Sequence, residues 1–244
     1  MPDHIVASFD QELKEIGRKV VEMGGQAERL VADSVTSLIR RDSALAQKVV
    51  LLDATVDQVQ REIEDRAILV IAKRQPVAID LREIVAAIRI ANDLERIGDL
   101  AKNVGKRVIA IEGEYHPAKL VRGVEHISDL VLEQLKEVLD AYAARNDAKA
   151  VEVWGRDGAI DTMYTSLFRE LLTYMMEDPR NISVCTHLLF CAKNIERIGD
   201  HATNIAEIVH YMVTGQNLPE SRPKADASSD TTLPFPGRTT TVQS

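Results

Sequence analysis

Apolar side chains recur at steps of three and four residues along almost the whole chain. Val49, Leu52, Val56, Val59, Ile63 and Val70 form one stripe, and Leu81, Ile84, Ile88, Ala91, Leu94, Ile97, Ala101, Val104, Val108 and Ile111 form a longer one. That period belongs to helices with one buried face. The strand pattern, sustained alternation of apolar and polar residues, is found nowhere. An all-α fold follows, with six helices expected at about 5–40, 44–73, 79–112, 117–145, 148–177 and 181–213.

The breaks between stripes have local causes. Asp42-Ser43 is suited to cap the second helix, and Gln75-Pro76 ends it, because proline disfavours helical geometry in the residue before it. Asp80, with Glu83 three residues on, has capping-box spacing and predicts the start of the third helix. Tyr115-His116-Pro117 reads as a join, and Asp178-Pro179 separates the last two helices, with Pro179 acceptable in a first helical turn.

A repeat then organises these helices. Residues 95–99 and 196–200 both read Glu-Arg-Ile-Gly-Asp, 101 residues apart from Glu95 to Glu196. The match extends to Ala91 with Ala192, Leu94 with Ile195, Ala101 with Ala202, Asn103 with Asn204 and Val104 with Ile205. One helix earlier, Asp53 and Asp57 are echoed by Asp157 and Asp161. The chain therefore divides into two tandem three-helix bundles, 1–114 and 115–214. From residue 215 to 244 Pro, Ser, Thr and Asp dominate, a composition that buries too little apolar area to order itself, so a disordered tail is expected.

Composition narrows the function. Thirty Lys and Arg against 38 Asp and Glu leave a net charge of −8, which argues against nucleic acid as a partner and is compatible with binding cations. No basic segment leads into an apolar core at the N-terminus, and no apolar run approaches the roughly 18–20 residues of a membrane span. Cys185 and Cys191, six apart, read as small core residues of a reducing compartment, and a cytoplasmic location is expected.

The acids carry the candidate chemistry. Glu95 and Asp99 lie four apart and project from one helix face, with Asn103 continuing the row; Glu196, Asp200 and Asn204 repeat it. If the Asp53/Asp57 and Asp157/Asp161 helices are antiparallel neighbours of these, each bundle gains a four-carboxylate patch. Such an all-oxygen set suits magnesium, calcium, manganese or iron. Acidic pairs are also common on solvated helix faces, so only the fourfold repetition favours a site. Arg96 and Arg197 read as partners of acids on an adjacent helix. Gly98 and Gly199, each costing about 1 kcal/mol in a helix interior, point to close approach of another helix or of the ion site to the backbone, with packing favoured.

The histidines form no repeated device. Glu207 and His210 have the spacing of di-iron bundle sites, yet Lys106 and Ile109 stand at the matching places of the first half. No phosphate-cradling glycine loop or nucleophile motif is present, and the chain is not expected to be an enzyme. The alternative left open is a carboxylate-bridged metal enzyme or an iron-handling bundle. Lys73-Arg74-Gln75-Pro76 forms a basic corner at a helix C-terminus.

Taken together, the residues resemble the PhoU family of bacterial phosphate-transport regulators. The run 72–76 (Ala-Lys-Arg-Gln-Pro), Asp80-Leu81-Arg82, both Glu-Arg-Ile-Gly-Asp segments, Met23-Gly24-Gly25 and the run 172–178 carry the likeness, which spans about residues 5 to 215. The resemblance implies two three-helix bundles related by a pseudo-twofold. It also implies surface metal clusters at Asp53, Asp57, Glu95, Asp99, Asp157, Asp161, Glu196 and Asp200, holding iron, manganese, magnesium or zinc. It implies a negative regulator of the phosphate-starvation response. Such a regulator would be a homodimer recruited to the inner membrane, linking the ATPase subunit of the phosphate ABC transporter to a sensor histidine kinase.

Overall fold

A computed structural model of the chain describes residues 2–114 and 118–218, without the side chains of residues 2–7 and 118. The Tyr115-His116-Pro117 join and the expected tail from residue 219 onward lie outside the described residues. Seven α-helices appear among the described residues: α1 (Pro2–Arg40), α2 (Ser43–Arg74), α3 (Ala78–Ala110), α4 (Ala118–Ala144), α5 (Asp147–Gly155), α6 (Asp157–Glu177) and α7 (Ile182–Thr214). A single 3-10 turn, Pro179–Asn181, leads into α7.

Helices α1, α2 and α3 form the first bundle, and α4, α7 and the α5–α6 pair form the second. The long stripe of α3 is the first core's spine: Ile84, Leu94, Ile97, Ala101 and Val104 are fully buried, whereas Leu81 at its start is exposed. Burying a Leu or Ile side chain contributes about 1.5–3 kcal/mol, so this stripe sets the orientation of α3 more firmly than any polar contact does. The stripe of α2 is less continuous, because Leu52 is exposed while Val49, Val56 and Ile63 are fully covered.

The bundles meet along α3 and α7, with α1 against α4 as a second contact. A Cβ on Gly24 would stand 2.6 Å from Leu139 Cδ2, so the Gly24 backbone is what lets α1 approach α4. Both halves enter their second helix by the same turn. Arg41 and Arg145 take positive φ (55° and 51°). Asp42 then accepts from the Leu45 N–H at 2.9 Å, and Asn146 from the Lys149 N–H at 3.1 Å. These turns lie 104 residues apart, the spacing of Asp53 and Asp157. The Asn146 turn thus repeats the Asp42 turn in the second half.

Three local expectations change. The helix expected at 148–177 is two, because the backbone turns at Arg156 (φ −92°, ψ −3°) between Gly155 and Asp157, and α6 starts at Asp157. Asp80 does not cap α3: extended Val77 is the N-cap, the helix starts at Ala78, and Glu83 instead pairs with Arg145. Helix α2 stops at Arg74 with Gln75 as its left-handed cap, and only Pro76 and Val77 then separate it from α3. Pro179 belongs to the 3-10 turn, where Asp178 accepts from the Arg180 N–H at 3.0 Å.

Candidate functional site

In the first bundle α2 carries Asp53 and Asp57, and α3 carries Glu95 and Asp99. Asp53 faces α3 because it shares the buried side of α2 with Val49 and Val56. The approach there is close: a Cβ on Gly98 would stand 3.2 Å from Asp53 Oδ1 and 3.5 Å from Val56 Cγ1. The glycine of the repeated signature is therefore both a packing requirement and the floor of the acidic cluster.

The carboxylates feel one another. Burial, then the charge of Asp99, push the Glu95 carboxyl above its ordinary range, with Asp57 and Asp53 adding to the rise. Burial likewise raises Asp53 against the opposing pull of Lys102, and Asp57 and Asp99 add to the rise. Like charges held this close across two helices need a cation. In the structure it is Lys102, whose Nζ lies 2.5 Å from Asp53 Oδ2 and 2.5 Å from Asp99 Oδ1. The two carboxylates hold the ammonium well above its ordinary pKa, outweighing the burial that would lower it. Asp53 Oδ1 remains buried with no hydrogen-bond partner.

The second bundle repeats the placement with different company. Asp157, Asp161 and Glu196 are all buried, and Asp200 is partly exposed. Asp157 opens α6, where a carboxylate is stabilised by the unpaired N–H groups of the first turn. At the place of Lys102 stands Thr203, whose hydroxyl donates to Asp157 Oδ1 at 2.9 Å and accepts from Gln134 Nε2 at 2.7 Å. The lysine here is Lys193, one turn before Glu196 rather than after Asp200, with Nζ 2.9 Å from Glu196 Oε1. Burial raises the Glu196 carboxyl, only partly opposed by Lys193, and Asp200 and Asp161 push it the same way. Glu196 Oε2 is buried without a partner. A Cβ on Gly199 would meet Ile160 Cδ1 at 3.0 Å, so the second glycine is required by packing.

In the first bundle all four acids singled out by spacing act on one another, and in the second Asp161, Glu196 and Asp200 do. Against the surface placement that the resemblance implied, four of the eight belong to the core: Asp53, Asp157, Asp161 and Glu196 are 2–4% exposed. Among the described residues no three Asp, Glu, His or Cys side chains are placed so as to hold a metal ion together. The orphaned oxygens of Asp53 and Glu196, and the all-oxygen donor set, fit a hard cation.

Lys102, Lys193, Thr203 and Gln134 were not anticipated. Lys102 and Lys193 stand three residues from Asp99 and Glu196, so their helix spacing could have found them. Thr203 and Gln134 had no such signal. Other residues proved structural. Arg96 reaches Glu95 at 3.4 Å and Asp99 at 3.5 Å on its own helix, not an acid of a neighbouring one. Asn103 and Asn204 turn away from the clusters toward the α3–α7 seam, where Asn204 Nδ2 donates to Asp93 Oδ1 at 3.4 Å. Glu207 accepts from the Trp154 indole N–H at 3.0 Å, and His210 Nδ1 sits 2.6 Å from Asp147, so the pair with di-iron spacing is used to hold α5 on α7. Arg74 forks onto Glu12 of α1 at 2.9 and 3.0 Å. Cys185 and Cys191 are free and buried.

The PhoU domain family model matches residues 20–108 and 124–209, one match in each bundle. A phosphate-specific transport system accessory protein PhoU homolog from Rhizobium meliloti (strain 1021) is 62% identical over 226 residues, 93% of this chain and 95% of that one. A protein of the same name from Caulobacter vibrioides (strain NA1000 / CB15N) is 51% identical over 229 residues, 94% of this chain and 100% of that one. The crystal structure of PhoU from Pseudomonas aeruginosa superposes with a TM-score of 0.80 at 42% identity, covering 85% of this chain and 100% of that one. The phosphate transport system regulatory protein PhoU from Streptococcus pneumoniae gives a TM-score of 0.80 at 26% identity, over 86% and 99%.

Proposed function

This chain belongs to the PhoU family, and from that premise we propose that it is a metal-binding adaptor of a phosphate-specific transport system. It restrains the phosphate-starvation response by linking the transporter, through its ATPase subunit, to a sensor histidine kinase. The names of its relatives support the transport role. Among the described residues no helix is long and apolar enough to cross a membrane. Contact with such partners would then be peripheral.

The observation that supports the metal reading is the recurrence, at the same place in each bundle, of mutually repelling acids with a buried unpartnered oxygen, on Asp53 and on Glu196. Asp53, Asp57, Glu95 and Asp99 would hold one ion or cluster, and Asp157, Asp161, Glu196 and Asp200 another. A bound cation supplies the positive charge that these acids lack. Magnesium, manganese, iron and zinc are the candidates by charge and donor type. Lys102 acts as a resident counter-ion of the first cluster, the charge that an ion held by Asp53 and Asp99 would supply in its place. The expected homodimer remains part of the reading.

Deleting the gene tests the regulatory role: expression of phosphate-scavenging genes should rise even in plentiful phosphate. Complementation with wild type should restore repression, and with Glu95→Ala/Asp99→Ala should restore it poorly. Normal expression in the deletion strain would sink the regulator reading.

A further inference from the structure

The seam between α3 and α7 has two ends related by the repeat, and they carry opposite charge. At one end Asp93 of α3 meets His201 Nδ1 at 2.7 Å and accepts from Asn204 at 3.4 Å. An acid thus closes that end. At the other end the position matching Asp93 is Asn194, and the position matching His201 is Leu100. The same register replaces Glu207 with Lys106, Ile208 with Arg107 and Arg89 with Phe190.

The result is an open cleft of about 300 Å³ lined by Asn103, Lys106, Arg107, Ala110, Phe190 and Asn194. No carboxylate lines it. The Arg107 guanidinium rests 4.3 Å over the Phe190 ring, which positions it without using its N–H donors. Among the described residues, neither Lys106 nor Arg107 pairs with an acid, in a chain of net charge −8. Two cations and two side-chain amides therefore face one small volume with their hydrogen-bond donors unspent.

We propose that this cleft binds an oxyanion of the phosphate class, either the free ion or the phosphoryl end of a phosphomonoester. A guanidinium fork, an ammonium and amide N–H groups are the donors that tetrahedral oxyanions take, and the acid that would repel such a ligand at the other end is absent here. The site is separate from the carboxylate clusters and stands whether or not they bind metal.

The test is calorimetric titration of the full chain, held metal-free with chelator so that no phosphate can bind through a cluster ion. Inorganic phosphate and adenosine monophosphate are the two probes, with chloride as competitor. Saturable binding of one equivalent is expected. Asn194→Asp, which restores the acid of the opposite end with almost no change of shape, should weaken it at least tenfold while leaving the circular dichroism and melting temperature unchanged. Lys106→Gln/Arg107→Gln should lose it. Tighter binding of phosphate assigns the free ion, and tighter binding of adenosine monophosphate assigns the phosphomonoester. The proposal is overturned if neither probe binds saturably, if equimolar chloride displaces both, or if Asn194→Asp binds as wild type does.

Discussion

Replacing Lys102 with Met keeps the aliphatic stem and removes one charge, which isolates what the ammonium does between α2 and α3. In wild type that ammonium sits 2.5 Å from each of two carboxylates. Asp99 has a third of its side chain in water, so its share falls in the surface range, below about 1 kcal/mol. Asp53 is different: its side chain is 5% exposed, and its second oxygen is already unpaired. Breaking a buried pair by removing one partner costs about 3–5 kcal/mol. Asp53 can escape part of that cost by taking up a proton, which it does more readily because burial and its acidic neighbours already raise its pKa. A loss of about 2–3 kcal/mol at pH 7 follows, or about 4–12 °C in melting temperature at 2–4 °C per kcal/mol for a protein of this size. Burial and its acidic neighbours make Asp53 take up its proton above the ordinary carboxylate range, so the loss should shrink toward the surface term as pH falls through that range. The assay is urea and thermal unfolding followed by circular dichroism, in chelator, at pH 7 and at falling pH. Saturating manganese should then stabilise the variant more than wild type, since the ion no longer competes with lysine. Equal stability at pH 7, or a deficit that stays the same size as pH falls, would refute the counter-ion role.

Glu196→Gln should stabilise the metal-free protein at pH 7 by about 1 kcal/mol, because a buried charge is replaced by a neutral group of the same shape. The sign follows from linkage: the Glu196 carboxyl is raised in the folded state, so folding is penalised as pH climbs from the unfolded value toward and past the folded one. The gain should vanish by pH 4, and a variant less stable than wild type at pH 7 in denaturant titration would contradict it. Among the glycines, Gly25→Ala should gain about 0.5–1 kcal/mol, since nothing lies within 4 Å of the added methyl. Gly105→Ala should instead be destabilising, because its methyl would stand 3.1 Å from the Ala46 carbonyl, and backbone cannot step aside as a side chain can. Thermal melts of the two variants in opposite directions would bear this out; a stabilised Gly105→Ala would not.

Much of this architecture could be read from residue spacing. The stripe through Ile84, Leu94 and Val104 defined α3 because burial is the strongest demand on a helix face, and Glu-Arg-Ile-Gly-Asp defined the duplication because it carries five identities in register. The acids of both clusters were visible for the same reason. How deeply they are buried was not, since the spacing of Asp157 and Asp161 does not say which helix covers them. The break at Arg156 was hidden because the apolar pattern continues across it: Val153 and Ile160 are both buried on either side. The lysines show the limit most clearly. Lys102 and Lys193 each pair with an acid of their signature from opposite sides of it, so a search for repeated residues passes over both.

The central claim is that each bundle carries its own cation site built from four carboxylates. Manganese titration followed by the electron paramagnetic resonance of the free ion counts such sites directly. Wild type should bind in two sets, Glu95→Ala/Asp99→Ala should lose one of them, and Asp161→Asn/Asp200→Asn should lose the other, with helicity retained in both. Manganese uptake unchanged in stoichiometry and affinity across the three proteins, or no saturable uptake by wild type, would contradict the claim.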